Sequence, residues 1–186
     1  MRLTRHFMYK RIASAFESPI SGKILGISEL DDMGFLIDKN RSEITTTTYP
    51  EIDMQNLPFE EDTFDYVVSD QVIEHVENPI KAVQESHRIL KEGGIAIHTT
   101  CFINQYHPSP KDFWRFSPDA LRFLCRDFRE IIQCEGWGNK VAVLLCFLGD
   151  RFRAMEIPEK KFSVRNLIAR FNQKRYPITT WIIAKK

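Results

Sequence analysis

The chain has 186 residues, 43 % apolar and 27 % charged, with 26 Lys and Arg against 25 Asp and Glu for a net charge of +1. That length and balance suit one globular domain and exclude a largely disordered chain. The longest purely apolar run, residues 141–148, falls far short of the roughly 20 residues that cross a bilayer as a helix, and with no secretory h-region export is not expected.

In chain order, Leu3, Phe7, Arg11 and Ala15 recur at helical spacing, with Met8 and Ile12 beside them, which predicts an amphipathic N-terminal helix within residues 1–20. Ser21-Gly22 reads as a break and residues 23–28 as a short buried strand. Residues 33–38 are too short to assign. Residues 43–49 are β-branched and strand-like, ended by Pro50. Residues 64–69 read as a strand.

Asn78-Pro79 supplies an N-cap followed by proline at the first helical position. The helix it starts is expected to run to about Lys91, with Ile80, Val83, His87 and Leu90 on one face and Gly93-Gly94 as its left-handed stop. A strand over residues 95–100 then completes a βαβ unit, hence a parallel pair. Ser117-Pro118-Asp119 starts another helix by the same logic, with Leu121, Leu124 and Phe128 inward. Residues 130–134 read as a strand, Val164, Leu167, Ile168 and Phe171 as a late amphipathic helix, and residues 178–184 as a closing strand. The alternation predicts a single three-layer α/β domain over residues 1–186.

The charge is segregated. Residues 1–23 carry +4, residues 24–150 carry −11 and residues 151–186 carry +8. The basic C-terminal segment, with Arg170, Lys174, Arg175, Lys185 and Lys186 beside Phe171 and Trp181, could meet a protein partner or an anionic surface; equally, it could neutralise the acidic body. Cys101, Cys125, Cys134 and Cys146 form no CxxC pair and are expected to be reduced, apolar fillers in a cytoplasmic protein. His6, His75, His87, His98 and His107 are scattered along the chain, so no metal site is expected.

Ligands of open parallel sheets bind at the carboxyl ends of strands. The residues just after the strands include Asp53, Asp70, Gln71, Glu74, His75, His107, Asp112, Trp114 and Arg115, a polar rim that marks a candidate site. The runs Asp53-x-x-x-Leu-Pro-Phe, Val72-Ile-Glu-His-Val-x-Asn-Pro and Arg88-Ile-Leu-Lys-x-Gly-Gly resemble the class I S-adenosylmethionine-dependent methyltransferases, closest to the type 11 group. The stretch from His107 to Pro118 is similar to a segment of members associated with glycan and polysaccharide pathways.

The resemblance implies a Rossmann-like sandwich, mostly parallel with an antiparallel C-terminal strand. It implies S-adenosylmethionine as cofactor and S-adenosylhomocysteine as product, with a small-molecule acceptor, such as a sugar or glycan precursor. Asp53 and Met54 would hold the adenine, and Ser69, Asp70 and Gln71 would lie near the transferred methyl. His75 and His107 are candidate general bases, with Asp112 orienting or replacing them. Trp114 and Arg115 would contact the acceptor.

Two departures stand out. The glycine-rich loop after the first strand reads Gly26-Ile-Ser28-Glu-Leu30-Asp-Asp32, so Gly26 stands where an acid is usual and Ser28, Leu30 and Asp32 where three glycines are. The ribose-binding acid is replaced by Thr47 or Thr48, and the short span from Lys23 to Asp53 predicts a trimmed half-fold. These changes favour the alternative of a non-catalytic methyltransferase-like binding or scaffold subunit. Nucleic acid is not an expected partner, since no tetrapeptide of the flipped-base type follows the strand over residues 64–69.

Overall fold

A computed structural model describes residues 2–158 and 163–186. Six strands form one sheet in the order β2-β1-β3-β4-β6-β5. They are β1 (Ile20–Ile27), β2 (Ile37–Thr47), β3 (Phe64–Asp70), β4 (Leu90–Cys101), β5 (Glu130–Trp137) and β6 (Thr179–Lys185). β2, β1, β3 and β4 run parallel, while β6 is antiparallel to both β4 and β5. Among the described residues no helix is long and apolar enough to cross a membrane.

Successive residues of a strand point to opposite faces, and here both faces are buried. Leu25, Val67 and Ala96 face a core shared with α2 (Pro79–Ile89) and α3 (Pro118–Leu124). Ile24, Val68 and Ile97 face a second core with α1 (Leu3–Ala13), α4 (Lys140–Phe147) and α6 (Val164–Arg170). A short α5 (Asp150–Arg153) follows α4. Burial on both faces explains the consecutive apolar residues at 95–97 of β4 and 181–184 of β6.

The predicted caps are formed. Asn78 Oδ1 accepts from Lys81 N at 3.1 Å, and Ser117 Oγ accepts from Ala120 N at 3.2 Å. The β3–α2–β4 crossover is parallel, with Val67 beside Ala96. The trimmed half is also seen. Residues 28–36, carrying only a 3-10 turn (Asp31–Leu36), return the chain from β1 to β2. Nine residues reach about 30 Å when extended, enough to retrace β1 but too few for a packed helix.

Several expectations are corrected. β1 begins at Ile20 and runs through the expected break, with Gly22 at φ 122 in a register shift. α1 buries Leu3, Met8 and Ile12 as expected, with Tyr9 beside them; Phe7 and Ala15 pack on the same core only partly buried, and Arg11 instead pairs with Glu135. α2 stops at Ile89 and buries Ala82, Val83, Ser86 and Ile89, leaving Ile80 exposed. Small residues at 82 and 86 let the helix lie close to the sheet, which outweighs turning Ile80 inward. In α6 the residues turned inward are Asn166 and Ala169, whereas Val164, Leu167 and Phe171 are exposed.

Trp181 is fully buried in β6 and offers nothing to an external surface. Part of the basic segment neutralises the acidic body: Lys186 Nζ meets Asp62 at 2.8 Å and also donates to the carbonyl oxygens of Arg88 and Leu90. Arg170, Lys174 and Arg175 remain exposed. All four cysteines are buried.

Candidate functional site

Two cavities open at the carboxyl ends of the parallel strands. The first, about 350 Å³, is bounded by Ile27 and Ser28 after β1, Thr47 and Thr48 after β2, and Gln71 and Val72 after β3. Ile52, Asp53, Met54 and Val76 add to its wall, and Ser109, Pro110 and Phe113 reach it from the loop after β4. The second, about 480 Å³, is lined by Arg2, Thr4 and Arg5 of the N-terminal segment together with Cys101, Asn104, His107 and Thr179. Gln71, His75 and Ser109 line both cavities.

Two backbone positions shape the junction. Ser28 (φ 69) and Gln71 (φ 57) lie in the left-handed region, which disfavours residues with a Cβ. Gln71 is held there by its backbone N–H, which donates to Thr99 O and Oγ1, and by its side-chain amide, which donates to Thr99 Oγ1. Strain of this kind persists only where the surroundings enforce it.

Asp53 and Met54 stand in the first cavity, but both Asp53 oxygens accept from the Gln55 amide at 3.1 and 2.9 Å, and Oδ1 also from Gln55 N. Gln55 Oε1 in turn accepts from Asn78 N. This chain of bonds ties the wall to the start of α2. Gly26 and Leu30 line neither cavity. Leu30 is buried in the sheet's second core and covers Gly26, where an added Cβ would meet its Cγ at 2.6 Å. Ser69 is also interior: its hydroxyl lies 2.7 Å from His98 Nδ1, and burial pushes that imidazole down to about 4.

Asp70 is nearly enclosed. It accepts from Arg5 Nη1 at 2.6 Å, from Tyr9 Oη at 2.5 Å and from Thr99 Oγ1. Burial works against the Arg5 charge, but Asp70, Tyr9 and Asp32 together outweigh it and the guanidinium is stabilised. Burial, reinforced by the same carboxylate, pushes the Tyr9 phenol far up. Helix α1 is thereby bolted to the end of β3 and forms a wall of the second cavity. Nothing local to residues 2–9 marks this role, because Arg5 and Asp70 lie 65 positions apart.

The loop after β4 is organised by Asp112 and Arg115. Arg115 donates to Asp112 Oδ1 at 2.5 Å and Oδ2 at 2.7 Å, and also to the carbonyl oxygens of Gln105 and Trp114. His107 N donates to Asp112 Oδ2 at 2.8 Å. Hydrogen bonding to Arg115 holds the Asp112 carboxyl well below the usual carboxylate range. Arg115 and Asp112 thus hold the loop and line neither cavity. Trp114 donates its indole N–H to Val76 O at 2.9 Å and is likewise outside them; Phe113 faces the first cavity in its place. Phe113 N and Trp114 N donate to Glu74 O, which docks the loop on the turn after β3.

His75 and His107 come together, their ring centroids 5.0 Å apart. His75 Nδ1 lies 2.6 Å from Lys111 O and His107 Nδ1 2.9 Å from Gln105 O. A carbonyl can only accept, so each Nδ1 donates there, and in the neutral imidazole that leaves the lone pair on Nε2. Glu74 is fully buried behind them, and burial raises its pKa.

Residues 29–98 match the family described as "Methyltransferase domain". Over 97 residues the chain is 35 % identical to 2-methyl-6-phytyl-1,4-hydroquinone methyltransferase 2 of Oryza sativa, a match covering 50 % of this chain and 26 % of that enzyme. Its structure resembles the Haloferax volcanii putative methyltransferase in complex with the Trm112 activator (TM-score 0.57, 16 % identity, 97 % and 90 % of the two chains). It also resembles Haemonchus contortus phosphoethanolamine N-methyltransferase 2 in complex with phosphomonomethylethanolamine and S-adenosylhomocysteine (TM-score 0.59, 15 % identity, 96 % and 52 %).

Proposed function

We propose that this chain, which has the fold of the class I S-adenosylmethionine-dependent methyltransferases, binds that cofactor in the first cavity and methylates a small molecule held in the second. The observation that carries the reading is that Gln71, His75 and Ser109 line both cavities. A methyl donor and its acceptor must meet at such a junction.

The first cavity fits the nucleoside end of the cofactor. Ile27, Ile52, Met54, Val72 and Val76 offer apolar surface for a purine, and the hydroxyls of Ser28, Thr47 and Thr48 suit a ribose in place of the usual acid. The sulfonium supplies an already activated methyl group, so proximity and alignment are most of what the protein must add. His75 and His107, each with a free Nε2, are placed to take a proton from a hydroxyl or amine acceptor, and Asp112 positions the His107 loop. The second cavity is walled by Arg2, Arg5, Asn104, His107 and Thr179. That polarity favours a hydroxylated acceptor, such as a sugar or glycan precursor.

One observation favours a second reading, a binding or scaffold subunit without methyl transfer: Leu30 lies over Gly26 where the usual loop leaves its backbone bare. Calorimetric titration with S-adenosylhomocysteine separates the two. Micromolar binding, abolished by Thr48→Trp at an exposed position of the cavity rim, supports the enzyme. No heat at millimolar ligand would transfer the weight to the scaffold.

A further inference from the structure

Glu74, Cys101 and His107 each offer one ligand atom, and these atoms lie within 4.8 Å of one another. Glu74 comes from the turn after β3, Cys101 ends β4, and His107 sits in the loop beyond. The fold brings Glu74 to two donors of other types that lie 27 and 33 positions further along the chain.

The state of each donor points to a missing partner. Glu74 is fully buried, its Oε2 accepts from Thr100 Oγ1 at 2.8 Å, and its Oε1 has no hydrogen-bond partner. Leaving a carboxylate oxygen unsatisfied in the interior is costly. His107 is fixed by Gln105 O with its proton on Nδ1, and the free Nε2 lies 4.0 Å from that same Glu74 Oε1. Cys101 is 1 % exposed and, with His107, lines the second cavity. Ligands around a tetrahedral zinc ion, at bonds of about 2.0–2.3 Å, lie about 3.3–3.8 Å apart. The three atoms need to close by no more than about 1.5 Å.

We propose that Glu74 Oε1, Cys101 Sγ and His107 Nε2 bind a divalent transition-metal ion of the zinc class. Carboxylate, thiolate and imidazole together suit zinc and disfavour magnesium and calcium, which take oxygen ligands. On binding, the Cys101 S–H bond breaks, its proton goes to solvent and a metal–sulfur bond forms; the charges of Glu74 and the thiolate offset that of the ion. The supporting bonds are those such a site needs: Thr100 to Glu74, and Gln105 O to the far nitrogen of His107. Three protein ligands leave a fourth position open, as in catalytic zinc sites, and Cys101 and His107 direct it to the second cavity. There it takes water or an acceptor's oxygen, nitrogen or sulfur, leaving proton acceptance to His75; this last role rests on the methyl-transfer reading, whereas the site itself does not.

The test is titration of chelator-treated full chain with Zn²⁺ by calorimetry, and with Co²⁺ by absorbance. One ion per chain is expected at micromolar affinity or tighter, with a thiolate-to-cobalt charge-transfer band. Cys101→Ser abolishes the band, Cys101→Ser and Glu74→Gln each weaken binding at least about 100-fold, and His75→Gln changes neither. X-ray absorption of the zinc-loaded wild type gives a check free of any folding defect in the variants: one sulfur ligand is expected. No binding, binding unchanged in the variants, or a shell without sulfur overturns the site. S-adenosylhomocysteine titrated into the same sample separates the two proposals, since zinc without nucleoside binding leaves the metal site standing and the reverse leaves only the methyl-transfer reading.

Discussion

Replacing Arg115 by Met removes the guanidinium that holds the loop after β4. Asp112 would keep the backbone N–H of His107 at 2.8 Å and the neighbouring His107 Nδ1 at 3.3 Å, for a carboxylate whose side chain is 1 % exposed. Two charge-assisted bonds of 2.5 and 2.7 Å are lost. Stranding one member of a fully buried pair costs about 3–5 kcal/mol. Arg115 is itself 26 % exposed, so water screens part of the attraction and about 2–3 kcal/mol is the expected loss. For a chain of this size that is roughly 5–10 °C in Tm, readable by thermal scanning and by urea denaturation with an unchanged slope. The sign with pH follows from the Asp112 carboxyl, which is depressed by Arg115. Its contribution is present above its unfolded pKa of about 3.9 and is lost as pH falls toward the lower folded value. The gap between wild type and variant should therefore narrow below about pH 4. A Tm shift under about 2 °C, or a gap unchanged in acid, would refute the reasoning.

The other predictions concern the interior. His98 is buried and neutral, its pKa pushed down to about 4, so stability should fall as pH drops from about 6.5 toward 4, and His98→Leu should flatten that slope in a urea series. Ser28→Gly relieves a left-handed backbone at φ 69 and should raise stability by up to about 1 kcal/mol, seen as a higher Tm; a lower Tm would contradict it. Gly138→Ala drives a Cβ to 2.0 Å from Tyr176 O, a backbone atom that cannot swing aside. It should destabilise by more than about 2 kcal/mol, and unchanged chemical denaturation would show that the approach is looser.

The βαβ unit and both capped helices were legible because their signals are local: Asn78-Pro79 and Ser117-Pro118 fix helix starts wherever the rest of the chain goes. The rim was legible in outline, since polar residues after buried strands have few structural uses there. Which of them face a cavity was not. Ser69 follows two buried valines and turns inward to His98, a pairing set by the register of β3 on β4. Leu30 reads as part of a ligand loop but enters the core beside α1, because the nine-residue return to β2 adds no helix of its own to that face. Arg5, Cys101 and Asn104 were missed for a related reason: what places them in the second cavity is the docking of α1 on Asp70 and the course of the chain after β4. Helix faces failed where small residues decided the approach, as at Ala82 and Ser86.

The strand order has a consequence for how the chain is made. β6 is the last strand in sequence but lies between β4 and β5. Until residues 179–185 have left the ribosome, β5 has no partner strand and β4 shows an open edge bearing Ile95, Ile97 and Thr99. The parallel half can assemble early, whereas the antiparallel half must wait for the closing segment. That interval is when the nascent chain is most exposed to wrong edge pairing, and chaperone engagement should concentrate there.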